Sequence, residues 1–344
     1  MKILERMDEA SWWEVARACD YATFFHTPLW RRLAVETFRG CRDASIGAEL
    51  DDGVRVVFPL IAHRSRLPWR AAEVSSTFGG CYGGPIADGP LDTDDRRRLF
   101  RAVVARAPGG LHLTGNPLHG PFGDIEGLGR RLDGTHRLEL DAPFTTLSTR
   151  FSRGHRANIA KGRRLGVTTR IAESVSDYRG YYLVYKDSLT RWGAAATSRY
   201  PWRLFANGAR LAGGHRDHIA LWLAEFEGRI AAGAWMFYWN QHAVYWHGAA
   251  RTDMRHTRAS HVLLADVIED ACRRGLRWFD FNPSGGHAGV AEFKRRFGAM
   301  HTPVERWHRL GIRARGASRR PTARAAENVG ASTRPPEPRY RPEP

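Results

Sequence analysis

The chain has 344 residues, 42% of them hydrophobic, with a net charge of +17 and a pI near 10.5. That length supplies one large or two medium domains, each with its own core, and the basic balance biases partners toward anions. No uninterrupted apolar run of about 18 residues occurs, so no membrane-spanning helix is expected, and the N-terminus MKILERMDEASWWEVARACD lacks the apolar middle of a signal peptide, which makes the expected location cytoplasmic.

The first half opens with KILERM, read as a strand. DEASWWEVARAC and TPLWRRLAVETF read as helices, the second opened by Thr27-Pro28. DASIGAEL and VRVVFPLIA, joined by DDG, read as a hairpin. AAEVSSTFGG reads as a strand, DTDDRRRLFRAVVARAPGG as a helix ended by glycine, and LHLTGN as a strand. The second half repeats this order. GVTTRIA reads as a strand, residues 175–192 and 200–210 as amphipathic helices, and HIALWLAEF with RIAAGAWMFYW as a hairpin. HAVYWHGAA is a further strand, ASHVLLADVIEDACRRG a long helix, LRWFDFN a strand, residues 289–297 a short basic helix and TPVERWHRL a last strand. One α/β unit used twice is the simplest account. It predicts domains at 1–140 and 141–310, followed by a tail at 311–344 with eight Arg, three Glu and many Pro, expected to be disordered.

Several chemistries lack their motifs. The four cysteines form no C-x-x-C pair and the histidines no H-x-x-x-H, so neither a metal nor a disulfide framework is expected. No G-x-S-x-G elbow occurs. His242 and His247, five apart in a strand, are predicted on opposite faces. Asp280 lies in an apolar strand and needs a partner if buried. It reads as a base or an orienting group for an amine, or equally as a turn cap or a partner of Arg277. Asn282 and Ser284 follow in the loop, as substrate contacts or as turn formers. Residues 148–170 hold seven Lys or Arg and no acid. Arg153, Arg156, Lys161 and Arg164 there spread around a helix, as a phosphate or RNA footprint or as a solvated linker.

Strand, two helices, three antiparallel strands, helix, strand, helix, strand is the order of the GNAT acyltransferase fold. Two such units in tandem resemble the Fem family of aminoacyl-tRNA-dependent peptidyl transferases. FFHTPLWRRL (24–33), GGCYGGPIADGP (79–90), RGHRANIAKGRRLGVTTRI (153–171) and above all GLRWFDFNPSGGHAGVAEFKRRFG (275–298) carry the likeness. It implies an α/β (α+β) protein of two tandem GNAT-like domains, each a mixed, mostly antiparallel sheet flanked by helices. It also implies that Lys294, in the F-K motif, serves catalysis and phosphate contact; Asp280, from its own place in the strand, is the second candidate catalytic residue. Arg191, Arg199, Arg295, Asn282 and Phe293 become candidate substrate contacts, and Arg153, Arg156, Lys161, Arg164, Arg255 and Arg258 candidate tRNA or phosphate contacts.

One departure matters. Acetyl-CoA-using GNAT enzymes carry a Gly-rich loop before the long helix, whereas RTDMRHTRAS (251–260) has no glycine, and a loop with Cβ atoms throughout cannot approach a diphosphate closely. The expected reaction is therefore amide formation from aminoacyl-tRNA to an amine of a cell-envelope precursor or peptide, with no resident cofactor and peripheral contact at most with a membrane-bound acceptor. The alternatives are a CoA-dependent acetyltransferase acting on an exopolysaccharide or amino-sugar, and a non-catalytic basic nucleic-acid-binding or scaffold protein on the same fold.

Overall fold

A computed structural model describes residues 1–4, 7–64, 71–196 and 199–309. The expected disordered tail at 311–344 lies outside the described residues. The first half runs β1 (Lys2–Leu4), α1 (Glu9–Ala18), α2 (Pro28–Thr37), β2 (Cys41–Asp43), β3 (Ile46–Glu49), β4 (Arg55–Phe58), β5 (Ile61–His63), β6 (Glu73–Ser75), β7 (Ile86–Ala87), α3 (Thr93–Arg106) and β8 (Leu111–Thr114). Strand β9 (Gly129–Glu139) and helices α4 (Phe144–Leu147) and α5 (Arg153–Arg164) lead to the second half. There β10 (Thr168–Ile171), α6 (Val175–Trp192), α7 (Trp202–Gly214), β11 (Ile219–Phe226), β12 (Arg229–Trp239) and β13 (His242–Ala250) precede α8 (Ala259–Arg273), β14 (Trp278–Asp280), α9 (Ala288–Arg295) and β15 (Met300–Arg309).

Local sequence explains the main boundaries. Asp8, Asp92 and Ser174 cap α1, α3 and α6 by accepting from the backbone N–H three residues on. Pro28 opens α2 at its first turn. The hairpin expected over 43–62 does not stay in one sheet. β3 and β4 pair in a small sheet with β1 and β7, while β2 and β5 join the large one. The break falls at Pro59, which has no N–H to donate, and at Ser45, whose hydroxyl accepts from the Leu60 N–H instead.

The large sheet runs through both halves in the order β10-β11-β12-β13-β14-β9-β15-β8-β6-β5-β2. Each half has a parallel pair at the same place in its chain order, β6 with β8 and β13 with β14. The next strand on each side is exchanged. β9, which follows the first half, pairs with β14, and β15, from the end of the second, pairs with β8. β9 and β15 then pair with each other along 129–137 and close the seam.

The halves also share a core. Trp30 of α2 stacks on Phe78 at 4.2 Å and meets Trp246 of β13 edge-on at 5.2 Å. Phe24 stacks on Phe237 of β12 at 4.6 Å. These rings are buried, so the contact between halves has the character of a domain interior rather than of a hinge.

Candidate functional site

Parallel pairing of β13 with β14 ends at Val244–Asp280, and the chains part beyond it. A cavity of about 470 Å³ opens between them. Trp246, His247 and Gly248 of β13 form one wall, and the loop from Asn282 to His287 with the start of α9 forms another. Tyr185 and Trp192 of α6, with Tyr200, form the floor, and the first half contributes Gly79 and Gly80. Trp246 has no register partner on β12, because Trp235 faces His247 and Met236 faces Tyr245. This bulge corrects the expectation for the two histidines. The extra residue resets the alternation, so His247 packs among Tyr181, Tyr185 and Phe205 in the shared core. Burial lowers the His247 pKa to about 3, so its ring is neutral, with Nδ1 at 2.7 Å from the Tyr181 hydroxyl.

Gly79 and Gly80 lie in a turn with φ of 69° and 73°. A Cβ on Gly79 would sit 2.9 Å from the Tyr200 hydroxyl, so the turn approaches the second half as only glycine permits. In the first half, the space past the parallel pair is closed by this same segment. Gly83 N–H donates to the Thr114 carbonyl at 3.1 Å, and the Ser76 hydroxyl accepts from Thr114 N–H at 2.9 Å.

Asp280 is fully buried at the end of β14. Oδ1 accepts from Thr135 Oγ1 at 2.6 Å, Tyr82 Oη at 3.1 Å and the Asn282 N–H at 2.7 Å, while Oδ2 lies 3.4 Å from His242 Nε2. Burial pushes this carboxyl up, but the bonds from His242, Thr135 and Asn282 outweigh it and hold the group below the ordinary carboxylate range. Of the readings open from sequence, the turn cap is present and the Arg277 pairing is not. Arg277 bonds Glu139 at 3.3 Å. Tyr82 comes from the first half, so one carboxylate ties both halves together.

Lys294 lies inside the protein, 3% exposed, although an amphipathic helix anchored by Phe293 and Phe297 would have turned it outward. Its Nζ donates to the Asn282 carbonyl at 2.6 Å. Burial lowers its pKa to about 7, against the pull of Asp280. Asn282 is thus held at both ends of its backbone, in the left-handed region with φ 61° and 7% exposed. Its Oδ1 and the Ser284 hydroxyl, on two residues that line the cavity, are buried without a hydrogen-bond partner.

The other expected residues lie elsewhere. Asn282 and Ser284 are the expected substrate contacts that line the cavity among the described residues. Arg191 is held by the Ala250 carbonyl and Thr252 Oγ1 at 3.0 and 2.9 Å, fastening α6 to the end of β13. Arg199 is exposed and donates to the Gly193 carbonyl, although its neighbour Tyr200 lines the cavity. Arg295 faces solvent and pairs with Glu292 at 2.6 Å. Phe293 packs on His155 and Phe297. Arg153, Lys161 and Arg164 are exposed on α5, while Arg156 caps the Thr149 and Phe151 carbonyls. Arg255 is exposed, and Arg258 takes φ 63° as the N-cap of α8. α5 packs across that helix end, where a Cβ on Gly162 would lie 2.5 Å from Val262 and 3.0 Å from the Thr257 carbonyl.

Sequence reasoning missed Tyr82, Thr135, His242 and Arg306. The first three reach Asp280 only through long-range pairing. Arg306, in β15, reaches the cavity because that strand crosses to the first half's sheet.

Residues 149–295 match the model of the Acetyltransferase (GNAT) domain family. Among solved structures, FemX is similar over 89% of this chain and 97% of its own, at 12% identity and TM-score 0.65. A tandem GNAT protein from the clavulanic acid biosynthesis pathway is similar over 90% and 97%, at 12% identity and TM-score 0.53. The C-terminal domain of a putative lysylphosphatidylglycerol synthetase from Agrobacterium fabrum is similar over 88% and 92%, at 12% identity and TM-score 0.53. No curated protein matches the sequence. Residues 149–295 thus carry the likeness to the GNAT domain, and the chain as a whole shares the fold of FemX and of a tandem GNAT protein.

Proposed function

We propose that the protein forms an amide bond by transferring an aminoacyl group from aminoacyl-tRNA to an amine on a cell-envelope precursor or peptide, in the cytoplasm. The carrying observation is the Asn282 peptide, fixed between Asp280 and Lys294 at the wall of a cavity lined mostly by the GNAT domain. The amine nitrogen attacks the ester carbonyl carbon and a tetrahedral oxyanion forms. The ester C–O bond then breaks, the ribose oxygen leaves with a proton, and the new amide nitrogen loses one. Fixed dipoles and a nearby positive charge lower that barrier more than a strong base would. Lys294 supplies the charge behind Asn282, and the Asn282 side chain faces the reacting groups.

The end of α8 favours tRNA over CoA. Arg258 stands where a glycine would let a diphosphate approach, α5 covers the helix end, and Thr257 Oγ1 accepts from the Ala259 N–H at 3.3 Å. The exposed cations of α5 suit an RNA backbone. Radiolabelled acetyl-CoA offered beside a pool of charged tRNA, with a peptide amine as acceptor, tests the reading. Label entering an amide from tRNA supports it, and label entering from acetyl-CoA alone overturns it.

A further inference from the structure

The cavity's chemistry differs from what a phosphate site requires. Four aromatic rings line it, those of Tyr185, Trp192, Tyr200 and Trp246. Arg306 is the one described lining side chain with a permanent charge, and Asp133 pairs with it at 3.0 Å. Among the described residues no carboxylate lines the wall, so a charged side chain of either sign would enter at the full desolvation cost. Two buried polar atoms on lining residues have no hydrogen-bond partner among the described residues, Asn282 Oδ1, on a residue more than nine-tenths buried, and Ser284 Oγ. Both accept hydrogen bonds. About 470 Å³ far exceeds what a glycyl or alanyl group fills.

We infer that this cavity binds the acyl part of the donor, and that the group is a bulky aromatic or branched apolar aminoacyl residue. This rests on the donor reading above. The side chain lies among the four rings, and the α-amino group donates to Asn282 Oδ1 and Ser284 Oγ. Apolar pockets discriminate by size, and a whole ring against a hydrogen exceeds the single-methylene case of roughly tenfold or more. A cationic or acidic aminoacyl group is rejected because no free opposite charge awaits it.

Binding of small amides to the full-length protein tests this without tRNA, through the emission of Trp192 and Trp246 and by titration calorimetry. L-Phenylalaninamide and L-leucinamide should bind at least about tenfold more tightly than glycinamide or the α-amide of aspartic acid. 3-Phenylpropionamide, which lacks the α-amine, should bind more weakly than phenylalaninamide, and Asn282→Ala should erase that difference. Val290 borders the cavity but is 42% exposed, so Val290→Asp leaves the core intact. It should remove the aromatic preference. Equal or undetectable binding of the four amino-acid amides, or a preference unchanged in Val290→Asp, would overturn the assignment. An aromatic preference without transfer from charged tRNA would instead sink the donor reading alone.

Discussion

The Lys294 ammonium and the Asn282 carbonyl meet at 2.6 Å inside the protein. On the other side of the same residue, the Asn282 N–H meets the Asp280 carboxylate at 2.7 Å. A cation and an anion thus hold one peptide from both ends, and the residue between them keeps a conformation that non-glycine residues seldom adopt. Strain of this kind persists only where the surroundings over-determine it, and here they do so beside a cavity.

Asn282→Gly separates fold from function. Glycine adopts φ 61° without the Cβ penalty, which for non-glycine residues is roughly 1–2 kcal/mol. The variant should therefore match or exceed the parent melting temperature while losing turnover, because the side-chain amide is gone. A variant that keeps full activity would deny that amide any role.

Lys294 makes stability depend on pH. Its folded pKa of about 7 lies below the ordinary 10.5, so between those values the unfolded chain binds more protons and stability rises with pH. Below pH 7 both states are protonated and the penalty is constant. Lys294→Met removes this term. Denaturant melts from pH 7 to 10 should show the wild type gaining on the variant, by up to about 1.4 kcal/mol per pH unit. A constant gap would place the lysine in solvent.

Asp280 acts at the acid end. Its folded pKa lies under the ordinary 3.8, so its stabilising term is present above that value and lost as pH falls through the folded pKa. Tyr82 remains a proton donor throughout, since burial raises its hydroxyl well above the usual 10. Tyr82→Phe removes one donor to this buried carboxylate at a cost of about 1–3 kcal/mol. The difference from wild type should be largest above pH 4 and should shrink in acid. An equal difference at all pH values would mean that the tyrosine merely packs.

Exchange of β9 and β15 predicts one unfolding event. Each half's parallel pair is completed by a strand from beyond its own chain order, so neither half closes its sheet alone. Calorimetry should show a single cooperative transition, and truncation after residue 299 should leave β8 and β9 edges that aggregate. Two separable transitions would contradict the shared sheet.

Much of this was legible in the sequence. The period of apolar residues and the caps gave α6, α8 and the β11–β12 hairpin nearly to the residue, because short-range physics fixes them. The twofold order gave the paired fold. The 43–62 hairpin failed because its two ends serve different sheets, a choice made by tertiary pairing around Pro59. Asp280, Asn282 and Lys294 were visible as candidates, the first as an acid in an apolar strand, the second as the start of the loop after it, the third through the resemblance of its F-K motif. Their linkage was not, since it needs the loop between β14 and α9 to fold back. Arg191, Arg199 and Arg295 came from the resemblance and their charge, neither of which says which way a side chain points. Tyr82 lies 198 residues from Asp280, and no local pattern reports such a distance.

The most direct test of the central claim compares wild type with Lys294→Met in transfer from charged tRNA to a peptide amine, with circular dichroism recorded on both. Lys294 fixes the Asn282 peptide and places a charge behind the reacting carbonyl, an effect of the size that loss of one aimed donor has elsewhere, about 100-fold or more in turnover. Loss on that scale with an unchanged spectrum is the result predicted here. Equal turnover by the two proteins would show that the chemistry lies elsewhere.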